Sequence, residues 1–317
     1  MSETVVKIEN LVKRYKELVA LDHLNLEIGK GEIFGLLGPN GSGKTTAINC
    51  LLSLLSYDKG DIEIFREKMT PTSYSIKNRI GVIMQNVAVL DELTVYENID
   101  FFCGLYIKEK EKRRKYVQEA IEFTGLEEFV KFYPKNLSGG LLRRLNIACG
   151  IAHKPDLIIF DEPTVAVDPQ SRNKILEGIQ KLNSEGATVI YTSHYMEEVE
   201  QICTRIAIID KGRSIAVGTK DELKKMIHNT ETIKIEVMEL SDEALNRIRG
   251  LDYVYEAEHE DNLLTVKCSG GSHNLMDILG ILNECGILLG RIYSEQPTLN
   301  DVFLEITGTE LRDTEGQ

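Results

Sequence analysis

The chain has 317 residues and a formal net charge of −13, with 42% hydrophobic and 27% charged residues, an ordinary balance for a globular protein long enough for two domains. No apolar run is long enough to span a bilayer, the polar opening MSETVVKIEN does not resemble a signal peptide, and the six cysteines (Cys50, Cys103, Cys149, Cys203, Cys268, Cys285) form no CxxC pair, which argues against a zinc or disulfide framework. The charge is uneven, because residues 220–317 hold 9 Lys and Arg against 20 Asp and Glu while residues 1–219 hold 28 against 30, and so acidic a final third argues against binding nucleic acid or anionic lipid there.

Residues 5–30 alternate apolar and polar in two bursts, VVKIENLVKRY and LDHLNLEI, which predicts antiparallel strands at a sheet edge. GEIFGLL then reads as a buried strand, GPNGSGKT (38–45) as a loop, and TTAINCLLSLLS as a helix. The loop fits G-x-x-x-x-G-K-[ST] at every fixed position, in the strand–loop–helix setting that gives the pattern meaning. Its glycines allow the backbone to close around phosphate oxygens, and the helix N-terminus favours an anion. Lys44 is placed to reach outer phosphates and Thr45 to hold Mg²⁺ through its hydroxyl. GDIEIF leads to RIGVIMQ (79–85), a buried strand ending at Gln85. Residues 94–132 have helical spacing, and the run KEKEKRRK (108–115) reads as a solvated helix face.

At 137–140, LSGG opens the helix LLRRLNIACGIA, with Ser138 as cap and two glycines baring the amides, a second anion-binding helix start. LIIFDE (157–162) is a buried strand ending in Asp161 and Glu162. The first acid can position Mg²⁺ and the second can orient or deprotonate an attacking water. TVIYTSH ends a further strand at His194, on the sheet edge where ligands bind. The competing readings are a helix cap for the acidic pair and a structural role for His194. Alternating strands and helices from residue 155 predict a mostly parallel sheet covered on both faces. After about residue 228 the order becomes β-α-β-β-α-β, that of a ferredoxin-like unit.

GPNGSGKT, LSGG and LIIFDEPT together resemble the ATP-binding cassette (ABC) family of ATPases over roughly residues 5–220. The resemblance implies that Gly38, Asn40, Gly41, Ser42, Gly43, Lys44, Thr45 and Thr46 hold ATP and that Tyr15 stacks on adenine. It implies that Gln85 touches Mg²⁺ with Thr45 and Asp161, and that Glu162 is the base and His194 the γ-phosphate sensor. It makes Ser138, Gly139 and Gly140 the signature that meets a nucleotide held by another subunit, with Asp168 in the dimer-contact loop. Leu141 and Ala166 depart from the family pattern, at the signature and in the dimer-contact loop. QPTLNDVFLEITG (296–308) resembles the close of the carboxy-terminal domain in drug- and sodium-export subunits of the family. Leu299, Val302, Phe303 and Ile306 share one helical face, which predicts packing within its own domain, with a dimer contact as the alternative.

The expected architecture is α/β: a P-loop NTPase domain (1–220) with a mostly parallel sheet, antiparallel edge strands and a helical lobe (about 88–150), a linker (221–230), a ferredoxin-like accessory domain (231–310) and a tail (311–317). The expected activity is ATP hydrolysis with Mg²⁺ at a head-to-tail dimer of this chain, or of this chain and a close paralogue. The expected setting is the cytoplasmic face of a membrane, reached only through a separate transmembrane permease, in an exporter and without nucleic acid. The rivals are a soluble ABC ATPase acting on ribosomes or DNA repair complexes, and an ATP-binding regulator with little turnover. Transport cargo is not legible in the chain.

Overall fold

In the computed structural model, which describes residues 3–165, 167–227, 231–269 and 273–307, the two alternating bursts form long strands, β1 (Thr4–Tyr15) and β2 (Leu18–Gly29). They are followed by β3 (Ile33–Leu37), α1 (Lys44–Leu51), β4 (Lys59–Ile64), β5 (Glu67–Lys68), α2 (Tyr74–Lys77) and β6 (Ile80–Ile83). β1 and β2 belong to a separate antiparallel sheet of order β2-β1-β4-β5 rather than to the edge of the parallel sheet. Val6, Ile8, Leu11, Leu21, Leu24 and Ile28 from this sheet share one core with Phe34 of β3 and Ile48 of α1. One buried face against a shared core is what the alternation encodes. The helix expected to run on through LLSLLS stops at Leu51, because Ser53 takes φ 52 and the amides of Leu54 and Leu55 turn back to the Asn49 carbonyl.

The helical lobe contains α3 (Val95–Gly104), α4 (Lys110–Thr124) and α5 (Gly139–Ile151) around Val95, Ile99, Cys103, Val117, Ile121, Leu145 and Cys149. Thr94 and Glu97 close a reciprocal capping box at the start of α3. The basic run is exposed apart from half-buried Arg113, which is paired with Asp100 at 2.8 Å. Leu141 packs against this lobe's core, which accounts for an apolar residue after LSGG.

The chain then alternates β7 (Leu157–Asp161), α6 (Pro169–Ser184), β8 (Thr188–Ser193), α7 (Met196–Ile202), β9 (Arg205–Asp210) and β10 (Arg213–Gly218). The main sheet has the order β10-β9-β3-β8-β7-β6, parallel throughout except for the edge strand β10. Every residue of β3, β7 and β8 is buried, as expected for central parallel strands covered on both faces. Register pairs Leu37 with Ser193, Asp161 with Thr192, and Ile83 with Phe160. The segments after β3, β6, β7 and β8 therefore leave the sheet along one carboxyl edge, the place where open α/β sheets bind ligands.

The described residues divide into two compact units between Gly218 and Thr219. The second holds α8 (Lys220–Lys224), β11 (Glu231–Val237), α9 (Asp242–Arg249), β12 (Val254–Glu260), β13 (Leu263–Cys268), α10 (Asn274–Glu284), β14 (Leu289–Glu295) and α11 (Leu299–Thr307). Its antiparallel sheet has the order β12-β13-β11-β14. β11 and β12 both run antiparallel to β13 between them, the split βαβ arrangement of a ferredoxin-like unit. Ser241 caps α9 by accepting from the Ala244 amide. Leu299, Val302 and Phe303 are buried, whereas Ile306 is half-exposed, and α11 contacts α8 within its own unit. Ala166, residues 228–230 of the expected linker, Gly308 and the 311–317 tail lie outside the described residues.

Candidate functional site

The 38–45 loop wraps tightly between β3 and α1. A Cβ on Gly38 would lie 2.3 Å from the Ile209 carbonyl, and Gly43, at φ 109, would bring one 2.8 Å from the Ala20 carbonyl, so neither position accepts a side chain. Lys44 is buried, and its ammonium donates to the carbonyls of Gly38 (2.7 Å) and Pro39 (3.1 Å). The hydroxyl oxygen of Ser42 is buried with no hydrogen-bond partner inside the chain, a donor that an oxyanion in the loop would satisfy. Asn40, Gly41 and Thr45 are exposed, and Thr46 is half-buried.

The two acids sit where β7 ends. Asp161 accepts hydrogen bonds from the hydroxyls of Thr192 (2.7 Å) and Thr45 (3.1 Å). Glu162 has φ 48, in the left-handed region, which a non-glycine residue holds only when its surroundings over-determine it. The Thr192 hydroxyl accepts from the Glu162 amide at 2.9 Å. The Glu162 carboxylate lies 3.4 Å from Lys44 Nζ and 3.5 Å from His194 Nδ1, and it accepts from Gln85 Nε2 at 3.3 Å. Burial pushes Asp161 up, and its two hydroxyl donors only partly offset that. Burial acts on Glu162 too, but the His194 hydrogen bond and the Lys44 charge outweigh it and hold this carboxyl below the ordinary glutamate value.

Thus Lys44, Thr45, Gln85, Asp161, Glu162 and His194, which the chain separates by up to 150 positions, converge at one edge. The signature residues lie elsewhere. Ser138 and Gly139 are exposed, and the Ser138 hydroxyl accepts from the Leu141 amide at 3.3 Å. Gly140 abuts Ser171 and Asp168, where a Cβ would meet Ser171 Oγ at 2.6 Å and Asp168 Oδ2 at 3.3 Å. Asp168 caps α6 by accepting from the Ser171 amide at 3.0 Å. Tyr15 is exposed at the end of β1, with the Lys13 ammonium 5.2 Å from its ring centroid.

Three residues escaped the sequence reading. Thr192 links the two acids, as described above. Glu198 of α7 is buried and accepts from Thr164 Oγ1 (2.9 Å), Tyr191 Oη (2.7 Å) and Ser193 Oγ (2.9 Å), with Arg172 Nε of α6 3.3 Å away. Arg143 of α5 is buried and reaches main-chain carbonyls on two loops. No sequence signal marks Arg143, because buried positions wrap most of α5, Leu145 and Cys149 on one side as well as Gly140, Ile147 and Ile151 on the other.

The donor set suits Mg²⁺, a hard cation that takes oxygen ligands and one or two carboxylates beside phosphate oxygens. Thr45 supplies a hydroxyl, Asp161 a carboxylate, and Gln85 an amide oxygen not used in its bond to Glu162. Among the described residues no group of three or more His, Cys, Asp or Glu is gathered for a metal ion.

A family model described as ABC transporter matches residues 21–165, and one described as ATP-binding protein DrrA1-3-like, C-terminal domain, matches residues 218–307. The linearmycin resistance ATP-binding protein LnrL of Bacillus subtilis is 38% identical over 98% of this chain and 100% of its own length. The daunorubicin resistance ATP-binding protein DrrA3 of Streptomyces coeruleorubidus is 32% identical over 98% of each chain. The Nod factor export ATP-binding protein I of Ralstonia nicotianae is 34% identical over 98% of this chain and 96% of its own length. Among solved structures, the dimeric post-hydrolysis state of the ATP-binding cassette MJ0796 bound to ADP and Pi matches with a TM-score of 0.62 and 30% identity, over 68% of this chain and 98% of that one. Similarity at this level along almost the whole sequence, joined to a phosphate loop and an acidic strand end at one sheet edge, makes this chain a member of the ABC transporter family, an ATP-binding ATPase subunit.

Proposed function

We propose that this chain powers a membrane exporter from the cytoplasmic face, with residues 1–220 as nucleotide-binding domain and 231–310 as accessory domain, docked on a separate permease. The convergence of Lys44, Thr45, Asp161, Glu162, Gln85 and His194 at one sheet edge carries the hydrolytic part of this reading. The names of the relatives, two of antibiotic resistance and one of Nod factor export, support export over work on ribosomes or DNA. The acidic final third supports the same choice.

In this reading the 38–45 amides and Lys44 hold the β- and γ-phosphates, with Lys44 exchanging its loop carbonyls and Glu162 for phosphate oxygens. Tyr15 carries the adenine. Thr45, Asp161 and Gln85 hold Mg²⁺, which supplies charge neutralisation at the phosphates when bound. Glu162, kept ionised by its neighbours, orients a water and takes its proton, and His194 steadies the γ-phosphate. Ser138, Gly139 and Gly140 of a second copy, or of a close paralogue, complete the pocket, with Asp168 at the contact. The lobe and residues 90–99 pass the motion to the permease.

Glu162→Gln tests the assignment. ATP binding should persist while turnover falls about 10²- to 10⁴-fold, the usual share of a general base. Turnover at the wild-type rate would refute the role given to Glu162. Recovery of a polytopic partner on purification in detergent supports transport, and recovery of ribosomal RNA supports the rival.

A further inference from the structure

Arg143 is 3% exposed. Its Nε donates to the Pro163 carbonyl (2.6 Å), one terminal nitrogen to the Glu162 carbonyl (2.6 Å), and the other to those of Gln85 (2.8 Å) and Met84 (3.0 Å). The acceptors come from two loops, one just after β6 and one just after β7, and the donor comes from the helix opened by the signature residues. All four are main-chain carbonyls, so the guanidinium is committed to holding backbone. A planar fork with five N–H donors suits this task, whereas a lysine ammonium is a point donor that cannot span both loops.

We propose that Arg143 is a positioning residue for hydrolysis: it fixes the backbone of Glu162 and Gln85 from the signature helix, so that the carboxylate is aimed only while α5 is docked. The proposal rests on the reading of Glu162 as the base. Glu162 holds its left-handed backbone between the sheet, where its amide donates to Thr192 Oγ1 (2.9 Å) and the Thr192 carbonyl (3.2 Å), and the lobe, where its carbonyl accepts from Arg143 (2.6 Å); the other bond to that carbonyl is a local one from the Val165 amide at 3.4 Å. The sheet anchor belongs to a buried strand. The lobe anchor is the one that any shift of α5 releases. Gln85 is tied to the same guanidinium through its carbonyl and reaches Glu162 through its side chain, so both ends of that contact move with Arg143.

The test uses the full chain with Arg143→Lys, Arg143→Gln, Glu162→Gln and the double variant Arg143→Lys/Glu162→Gln. ATP binding is measured at equilibrium, and turnover is expressed per titrated ATP site, which removes any unfolded fraction. Both Arg143 variants should lose about 10- to 100-fold in kcat, the scale of a small misplacement of a reacting group. Their ATP dissociation constants should stay within about twofold, since a residue acting on the chemical step changes kcat and leaves ground-state binding alone. The double variant should be no slower than Glu162→Gln, because both changes act through one carboxylate. Full turnover in the Arg143 variants beside a slow Glu162→Gln overturns the proposal alone, as do multiplicative losses in the double variant or affinity falling in step with turnover. Loss of the ATP-binding fold in both Arg143 variants overturns it too, by assigning the residue to stability. Wild-type turnover in Glu162→Gln overturns both the base assignment and the proposal.

Discussion

Asp161 and Glu162 are neighbours in sequence with opposite surroundings. Burial dominates at Asp161, and at Glu162 it is outweighed by the bond to His194 and the charge of Lys44. An Asp whose folded value lies above its unfolded one gives stability that is fully present below the unfolded value and is lost as pH rises through the raised one. Near neutral pH this carboxylate is therefore a cost to the nucleotide-free fold, held at the proposed cation site. Asp161→Asn keeps an oxygen for the Thr45 and Thr192 hydroxyls and removes the charge. We expect it to raise the melting temperature at pH 7 without nucleotide and to lower Mg²⁺-dependent turnover by about 10²-fold or more, the scale of losing one preorganised electrostatic group. A lower melting temperature at pH 7 would contradict the account. Legibility at this scale follows locality. Lys44, Thr45, Asp161 and Glu162 stand in contiguous motifs, so the chain announces them. Arg143 and Glu198 were not singled out, because a buried charge is understood only once the partners from other segments are known, four carbonyls in one case and three hydroxyls in the other.

Among the elements, those with their own start and stop signals were legible. SDEALNRIRG carries a serine cap, an acidic first turn and a glycine stop, and α9 begins after Ser241 and ends before Gly250; β7 is an apolar run closed by carboxylates. The placement of β1 and β2 in a separate sheet was not, since alternation fixes which face is buried but not which sheet a strand joins. β10 went unread because the turn at 211–212 marks a hairpin without fixing the length of its second strand. α3 shows how much a terminus contributes. Thr94 Oγ1 accepts from the Glu97 amide at 3.3 Å, and the Glu97 carboxylate accepts from the Thr94 amide at 2.8 Å. The backbone amide of Thr94, then its hydroxyl, hold Glu97 below the ordinary glutamate value. A depressed carboxylate gives stability present above the unfolded value and lost as pH falls through the folded one. Thr94→Ala should cost about 1 kcal/mol, and the melting temperature should fall by about 2–4 °C. Part of that loss should shrink below the glutamate range, where Glu97 is protonated in either form. ATP affinity should not change, because the cap lies outside the 38–45 loop. A parallel loss of affinity would show that α3 supports the nucleotide site directly.

At the scale of the molecule, the proposed function gives one chain two unlike surfaces for an anion. The first is the enclosed edge around Lys44 and Glu162. The second is the exposed start of α5, where Ser138 and Gly139 face solvent and helix amides favour a negative partner. If the second surface completes the first in another copy, the interface is two-fold, with the same pair of patches meeting twice. Nucleotide is then part of the contact, and its γ-phosphate sets how long the contact lasts. Wild-type turnover would then destroy that contact, and the dimer would form only transiently. Glu162→Gln removes the proposed base while sparing the 38–45 loop, Thr45 and Asp161, so bound ATP should persist. In sedimentation, the Glu162→Gln chain saturated with ATP and Mg²⁺ should run at twice the 35.7 kDa chain mass, and with ADP it should return to the single mass. Adding Ser138→Arg, which sets a bulky side chain at the exposed helix start, should abolish the ATP-dependent dimer and leave ATP binding to the monomer intact. A Glu162→Gln chain that stays monomeric with saturating ATP and Mg²⁺, or a Ser138→Arg variant that still dimerises, would show that α5 does not complete the pocket.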